Sequence, residues 1–171
     1  MNHILFVEDD LSMQDLVKSA LGEHFQITCL SDPAQLLEQI TKLKPDVVLT
    51  DYRIPALHTE SFLSHMRIHH PATPVVMITG FIDQDSLLAA VRQNVFDFVS
   101  KPFQIDELER TLKNACEVAS ERSSVLDTVL KSRSTLGPSV TLEMLRTIQA
   151  AGFQKLSSKA FESLERQVAS Q

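Results

Sequence analysis

The stretch DVVLTDYRIP, residues 46–55, decides how this chain is read. Val47, Val48 and Leu49 make an apolar, partly β-branched run, the composition of a strand covered on both faces. The run ends on Thr50 and Asp51, and Pro55 follows four residues later. A strand built for burial that delivers a carboxylate at its end aims that carboxylate rigidly.

Four further runs of the same kind lie at 4–7, 26–30, 75–79 and 96–99, with 47–50 as the third of five in chain order. Amphipathic segments separate them. Met13, Leu16, Val17, Ala20 and Leu21 recur at helical spacing, as do Leu36, Leu37, Ile40 and Leu43 after Asp32-Pro33, an N-cap followed by proline at the first helical position. Phe62, Leu63 and Met66 mark a third helix. Leu87, Leu88 and Val91 mark a fourth, and Leu108, Leu112, Ala115 and Ala119 a fifth. Five strand–helix repeats predict an α/β fold, a doubly wound parallel sheet with helices on both faces. Ligands of such sheets sit at the carboxyl ends of the strands.

Bulk properties narrow the function classes. The chain has 171 residues, 43% hydrophobic, enough for one well-buried domain and an appendage. Cys29 and Cys116 are far apart and lack CxxC spacing, which argues against a disulfide framework or a thiolate zinc site and fits a reducing, cytoplasmic setting. No secretory leader and no membrane-span-length apolar run is read from the sequence. The net charge of −6 is uneven: residues 1–122 carry ten Lys/Arg against 18 Asp/Glu, residues 123–171 six against four. An acidic body disfavours nonspecific nucleic-acid binding by that part.

The predicted strand ends are chemically distinctive. The first closes on Glu8-Asp9-Asp10, the third on Asp51, the fourth on Thr79 and the fifth on Lys101-Pro102. If strands one, three, four and five are neighbours, these groups meet in one cleft. Clustered carboxylates repel and favour protonation, which a hard divalent cation relieves; carboxylate oxygens and water suit Mg²⁺. A carboxylate there can accept a phosphoryl group as an aspartyl-phosphate, with the metal, a lysine and a hydroxyl around the phosphoryl oxygens.

Four blocks in this order, ILFVEDD, DVVLTDYRIP, PVVMITGF and FDFVSKPF, resemble the receiver domain of two-component response regulators over about residues 3–122. The resemblance implies a flavodoxin-like, five-stranded sheet of order 2-1-3-4-5. It assigns Glu8 and Asp9 to the acidic pair that binds Mg²⁺, and Asp51 to the phosphoacceptor and third carboxylate ligand. The main-chain carbonyl of Arg53 completes the protein's share of the metal shell. Thr79 and Phe98 match the hydroxyl and aromatic switch positions, Lys101 the lysine that pairs the phosphoryl group, and Pro102 the cis-proline. The implied partner is a histidine kinase or phosphotransfer protein, and the readout surface is the fourth and fifth helices.

Three positions depart from the family pattern: Glu8 for Asp in the acidic pair, Thr59 for the usual Gly eight residues after the phosphoacceptor, and Asn94 for the Gly ending the fourth helix. Two competing functions share part of this chemistry. A haloacid-dehalogenase-like phosphatase also uses a strand-end Asp with Mg²⁺, but needs a second carboxylate two residues on, where this chain has Arg53. A receiver-like module that binds partners without phosphorylation would not need Asp51, Thr79 and Lys101 together. The i, i+4 pair His65 and His69 has metal-ligand spacing but no acid or thiol in register, and is read as an exposed face.

Residues 123–136 lack Pro and Gly, so the fifth helix is expected to continue through them. Gly137-Pro138 breaks the pattern, and two short amphipathic helices follow, with Met144, Leu145 and Ile148 on one stripe and Phe161, Leu164 and Val168 on the other. Residues 1–122 are thus read as the receiver and 123–171 as a helical extension, a dimerisation or effector-docking module. The alternatives are a small DNA-binding module and the truncated start of something larger.

Overall fold

The computed structural model describes residues 1–54, 57–80 and 95–131. Five strands, β1 (His3–Val7), β2 (Gln26–Leu30), β3 (Val47–Asp51), β4 (Val75–Thr79) and β5 (Asp97–Ser100), form one sheet in the order β2-β1-β3-β4-β5, and every paired neighbour is parallel. The helices are α1 (Leu11–Leu21), α2 (Leu36–Leu43), α3 (Thr59–His69) and the long α4 (Ile105–Lys131). This α4 is the fifth helix expected from sequence. The expected helix around Leu87, Leu88 and Val91, Asn94, and both expected tail helices lie outside the described residues.

Side chains alternate across the strands, so each strand feeds two cores. In β1, Ile4 and Phe6 face Val17 and Leu21 of α1 and Leu108 and Leu112 of α4. Leu5 and Val7 face Leu36 and Ile40 of α2 and Phe62, Leu63 and Met66 of α3. Burial on both faces is why the strands read as unbroken apolar runs rather than alternating ones.

Local chemistry sets the element ends. Asp10 caps α1, its Oδ1 accepting from the Ser12 amide at 2.8 Å. Asp32 accepts from the Ala34 amide at 2.9 Å and opens a single 3₁₀ turn, Pro33–Gln35, ahead of α2, where the Asp-Pro pair predicts an α-helix from its first residue. The α1 stripe is rotated from expectation: Leu16 is 51% exposed, whereas Gln14 is 8% exposed. The fifth strand is shifted by one, and Asp51 belongs to β3 itself. Helix α4 runs without interruption through Arg122 to Lys131, as expected from the lack of Pro and Gly; the remainder of the expected continuation, residues 132–136, lies outside the described residues.

Helix α2 ends on Lys44, which takes the left-handed conformation (φ 47°) while its amide donates to the Ile40 carbonyl at 2.9 Å. Pro45 follows and disfavours a right-handed helical Lys44. A side chain in the left-handed region costs roughly 1–2 kcal/mol, and glycine gives back about half of that in unfolded-state entropy. Lys44→Gly is therefore expected to raise stability by about 0.5–1 kcal/mol in urea denaturation at unchanged m-value; a loss of stability would place the strain elsewhere.

Candidate functional site

The site is built where the sheet order brings β1, β3, β4 and β5 side by side. β1 pairs with β3 so that Val7 lies opposite Thr50, and β3 pairs with β4 so that Asp51 lies opposite Ile78. β4 pairs with β5 so that Thr79 lies opposite Ser100, one residue before Lys101. The residues that follow each register end therefore share one edge of the sheet.

At that edge the Lys101 ammonium bridges two carboxylates. Its Nζ donates to Asp51 Oδ2 at 2.6 Å and to Glu8 Oε2 at 3.0 Å. The other oxygen of Asp51 accepts from the Arg53 amide at 2.7 Å, which fixes the orientation of the carboxylate at the start of the following turn. The Lys101 amide donates to the Thr79 carbonyl at 2.7 Å, extending the β4–β5 ladder to the lysine, and the Lys101–Pro102 bond is cis. Thr79 is buried at the end of β4, and Phe98 is half-buried against the Leu5 side of the sheet.

Glu8 is 2% exposed, so it is a buried acid, whereas Asp9 faces solvent beside it. Of the expected site residues the fold thus joins Glu8, Asp51 and Lys101 directly and Thr79 through its main chain. Among the described residues no three carboxylate, imidazole or thiolate groups are gathered closely enough to hold a metal ion together. Thr59, in place of the family's usual glycine, donates its hydroxyl to the Tyr52 carbonyl at 3.3 Å, a tie across the loop after Asp51 that glycine could not make. His65 is half-buried rather than exposed, its ring 4.3 Å from that of His69 between centroids; burial and the neighbouring imidazole both lower its pKa.

Gln14 was not legible as a site residue. Its Nε2 donates to the Glu8 main-chain carbonyl at 2.5 Å and to Ser31 Oγ at 2.9 Å. The one available signal was its i, i+3, i+7 register with Val17 and Leu21, which places a polar side chain on the buried stripe.

Burial and charge act in opposition on the bridging pair. Burial raises the Glu8 pKa more than the Lys101 hydrogen bond and charge and the Asp10 amide lower it, and the Asp51 charge adds to the rise. Burial disfavours the charged lysine, but hydrogen bonds and charges from Asp51 and Glu8 outweigh it and raise the Lys101 pKa. A raised carboxyl pKa favours the fold at low pH, and that stability is lost as pH climbs from the unfolded value, near 4.5, through the folded one. A raised lysine pKa stabilises at all pH below about 10.5 and fades only above it. Glu8→Gln is therefore expected to raise the melting temperature at pH 7, with the gain vanishing below pH 4.5, where Glu8 is protonated in both states. A variant less stable than wild type at pH 7 would mean that pairing with Lys101 outweighs the cost of burial.

Residues 4–113 match the response regulator receiver domain family. Over 126 residues, 73% of this chain, the sequence is 30% identical to the regulatory protein AtoC of Escherichia coli K12, and over 130 residues, 75% of the chain, it is 31% identical to the DNA-binding transcriptional regulator NtrC of the same strain. The matched parts are 27% and 28% of those proteins' lengths. The crystal structure of NtrX from Brucella abortus in complex with ADP superposes with a TM-score of 0.65 at 28% identity, covering 86% of this chain and 35% of that one. Sheet order, strand-end chemistry and these likenesses agree: the chain belongs to the family of response regulator receiver domains.

Proposed function

We propose that Asp51 accepts a phosphoryl group from the phosphohistidine of a histidine kinase or phosphotransfer protein, and that the resulting aspartyl-phosphate switches the domain between two states. The observation that carries this reading is the Asp51 carboxylate at the end of a buried strand, with one oxygen 2.6 Å from Lys101 Nζ and the other 2.7 Å from the Arg53 amide. In the transfer a carboxylate oxygen of Asp51 forms the new bond to phosphorus while the phosphorus–nitrogen bond to the donor imidazole breaks. Lys101 neutralises charge on the phosphoryl oxygens and thereby loosens its hold on Glu8. Thr79 and Phe98 are the switch residues: Thr79 shares the edge with Asp51, and Phe98 sits in the strand that leads into Lys101.

The donor types suit Mg²⁺, a hard cation that takes carboxylate oxygens: one ammonium serves the Glu8 and Asp51 carboxylates, and exposed Asp9 follows Glu8 in the chain. Glu8, Asp9, Asp51 and the Arg53 carbonyl would hold the ion. When bound, Mg²⁺ supplies the charge neutralisation that a phosphoryl group in this acidic edge requires.

On this reading the chain is a phosphoryl-accepting switch rather than an enzyme, and its chemistry is confined to its own phosphorylation and dephosphorylation. A phosphatase would need an acid where Arg53 stands, and a phosphorylation-independent module would not need the Asp51–Lys101 pair. Among the described residues no helix is long and apolar enough to cross a membrane, and a cytoplasmic setting suits two free cysteines, Cys29 and Cys116. The output is a second copy or an effector protein docked through the fourth and fifth helices expected from sequence and the extension. Along α4, Leu108, Leu112, Ala115, Ala119, Arg122, Leu126 and Val129 recur at alternating four- and three-residue spacing, the pattern of a helix seam. The first four are buried, in and around the domain core; Arg122 and Leu126 are half-buried, and Val129 is buried again.

With acetyl phosphate and Mg²⁺, Asp51→Asn is expected to reduce label uptake at least ~100-fold, whereas Lys101→Ala keeps partial uptake but loses the NMR shift changes around Phe98. Wild-type uptake by the Asn variant would overturn the phosphoacceptor assignment. Chain ended after Arg122 is expected to keep Asp51 phosphorylation but to change sedimentation behaviour or partner capture. If it sedimented and bound like full-length chain, and full-length chain bound DNA with steep salt dependence, the extension would be a nucleic-acid module instead.

A further inference from the structure

We propose that Gln14 is the positioning residue of the acidic turn: it clamps Glu8-Asp9-Asp10 from both ends and so sets where the Asp9 carboxylate stands for a divalent cation. The inference rests on the Mg²⁺ reading above and assigns part of that site's affinity to a side chain that touches neither metal nor phosphoryl group.

The clamp joins a main-chain bond to two side-chain ones. The Gln14 main-chain amide donates to the Asp10 carbonyl at 3.0 Å, the helical bond that any residue but proline makes at this place, and it seats the C-terminal end of the turn. The side-chain Nε2 reaches back to the Glu8 carbonyl at the other end, 2.5 Å away, and donates its second hydrogen to Ser31 Oγ at 2.9 Å. The Glu8 amide is held in turn by the Leu30 carbonyl at 3.1 Å, the last rung of β1 on β2. Glu8 is therefore tied on both its amide and its carbonyl, Asp10 is fixed as the α1 cap, and exposed Asp9 is suspended between them.

The choice of an amide has an electrostatic reason. The Glu8 carbonyl at a buried strand end needs a donor, because an unsatisfied buried acceptor is costly. A lysine or arginine could supply one but would bring a full positive charge into a nearly buried position next to the turn. A glutamate would repel the carbonyl and add negative charge. Glutamine donates twice and adds no net charge. Its burial beside Val17 and Leu21 removes the rotamer freedom that would otherwise loosen the turn.

The test uses the whole chain and two variants. Gln14→Met keeps the length and packing of the side chain, removes both side-chain hydrogen bonds and leaves the main-chain bond to Asp10 in place. Ser31→Ala removes only the outer anchor. In the metal-free protein Gln14→Met is expected to shift and broaden the Asp9 and Asp10 backbone amide resonances while leaving those of β4 and β5 in place. It is expected to weaken Mg²⁺ binding in calorimetry by about 10-fold, with label uptake on Asp51 recovering at saturating Mg²⁺. Ser31→Ala gives the same changes at a few-fold. A folded Gln14→Met with wild-type Asp9 and Asp10 resonances, or with wild-type Mg²⁺ affinity, overturns the proposal. If Gln14→Met fails to fold, wild-type resonances and affinity in Ser31→Ala overturn it. Should the wild-type chain bind no Mg²⁺, the metal reading falls and with it the affinity half of this inference, while the metal-free resonances still decide whether Gln14 holds the turn.

Discussion

Everything at the carboxyl edge depends on one ammonium. Lys101 lies after the last strand of the sheet, Glu8 after the first and Asp51 at the end of the third, yet a single Nζ bonds both acids. The pairing joins residues 93 and 50 positions apart in the chain, so it exists only when the sheet order is correct. It does not discharge the site: a buried glutamate and an aspartate share one positive charge, and burial still pushes the glutamate towards its neutral form. Folding thus assembles an acidic edge in which one lysine is shared between two carboxylates.

That excess is tolerated because the scaffold beneath it is overdetermined. Each central strand buries residues on two faces, with α1 and α4 on one side and α2 and α3 on the other. Two cores clamp the same backbone, so the strand ends cannot relax away from one another to relieve repulsion. The energetic cost of the acidic edge is spread over the whole sheet, which is how locally unfavourable electrostatics persist in a stable domain.

Much of this was legible from residues alone, for reasons specific to each position. Asp51 and Lys101 were readable because each closes an apolar strand, and parallel strands put their ends together. Glu8 was readable as an acid of the site but not as a buried one, since an acid after a strand reads equally well as solvated; its longer side chain reaches the lysine, and that reach is a tertiary fact. The α1 stripe was misphased because apolar residues flank it on both sides. Leu16 lost to Gln14 when the Glu8 carbonyl demanded a buried donor. The single-residue slip in β5 follows from pairing with β4, whose register no local pattern encodes. The left-handed Lys44 had a signal in Pro45, which excludes a further right-handed turn.

The unbroken course of α4 has a mechanical consequence. The helix begins four residues after Lys101, and its 27 residues span about 40 Å at the usual rise per residue. Its first turns are seated against the sheet as far as Ala119, and Val129, ten residues and about 15 Å further on, is buried again. A tilt of about 10° at the seat would carry Val129 by about 3 Å, enough to unseat a buried side chain. The cost of moving this helix is therefore set at its far end as well as at the sheet, by the packing of one valine.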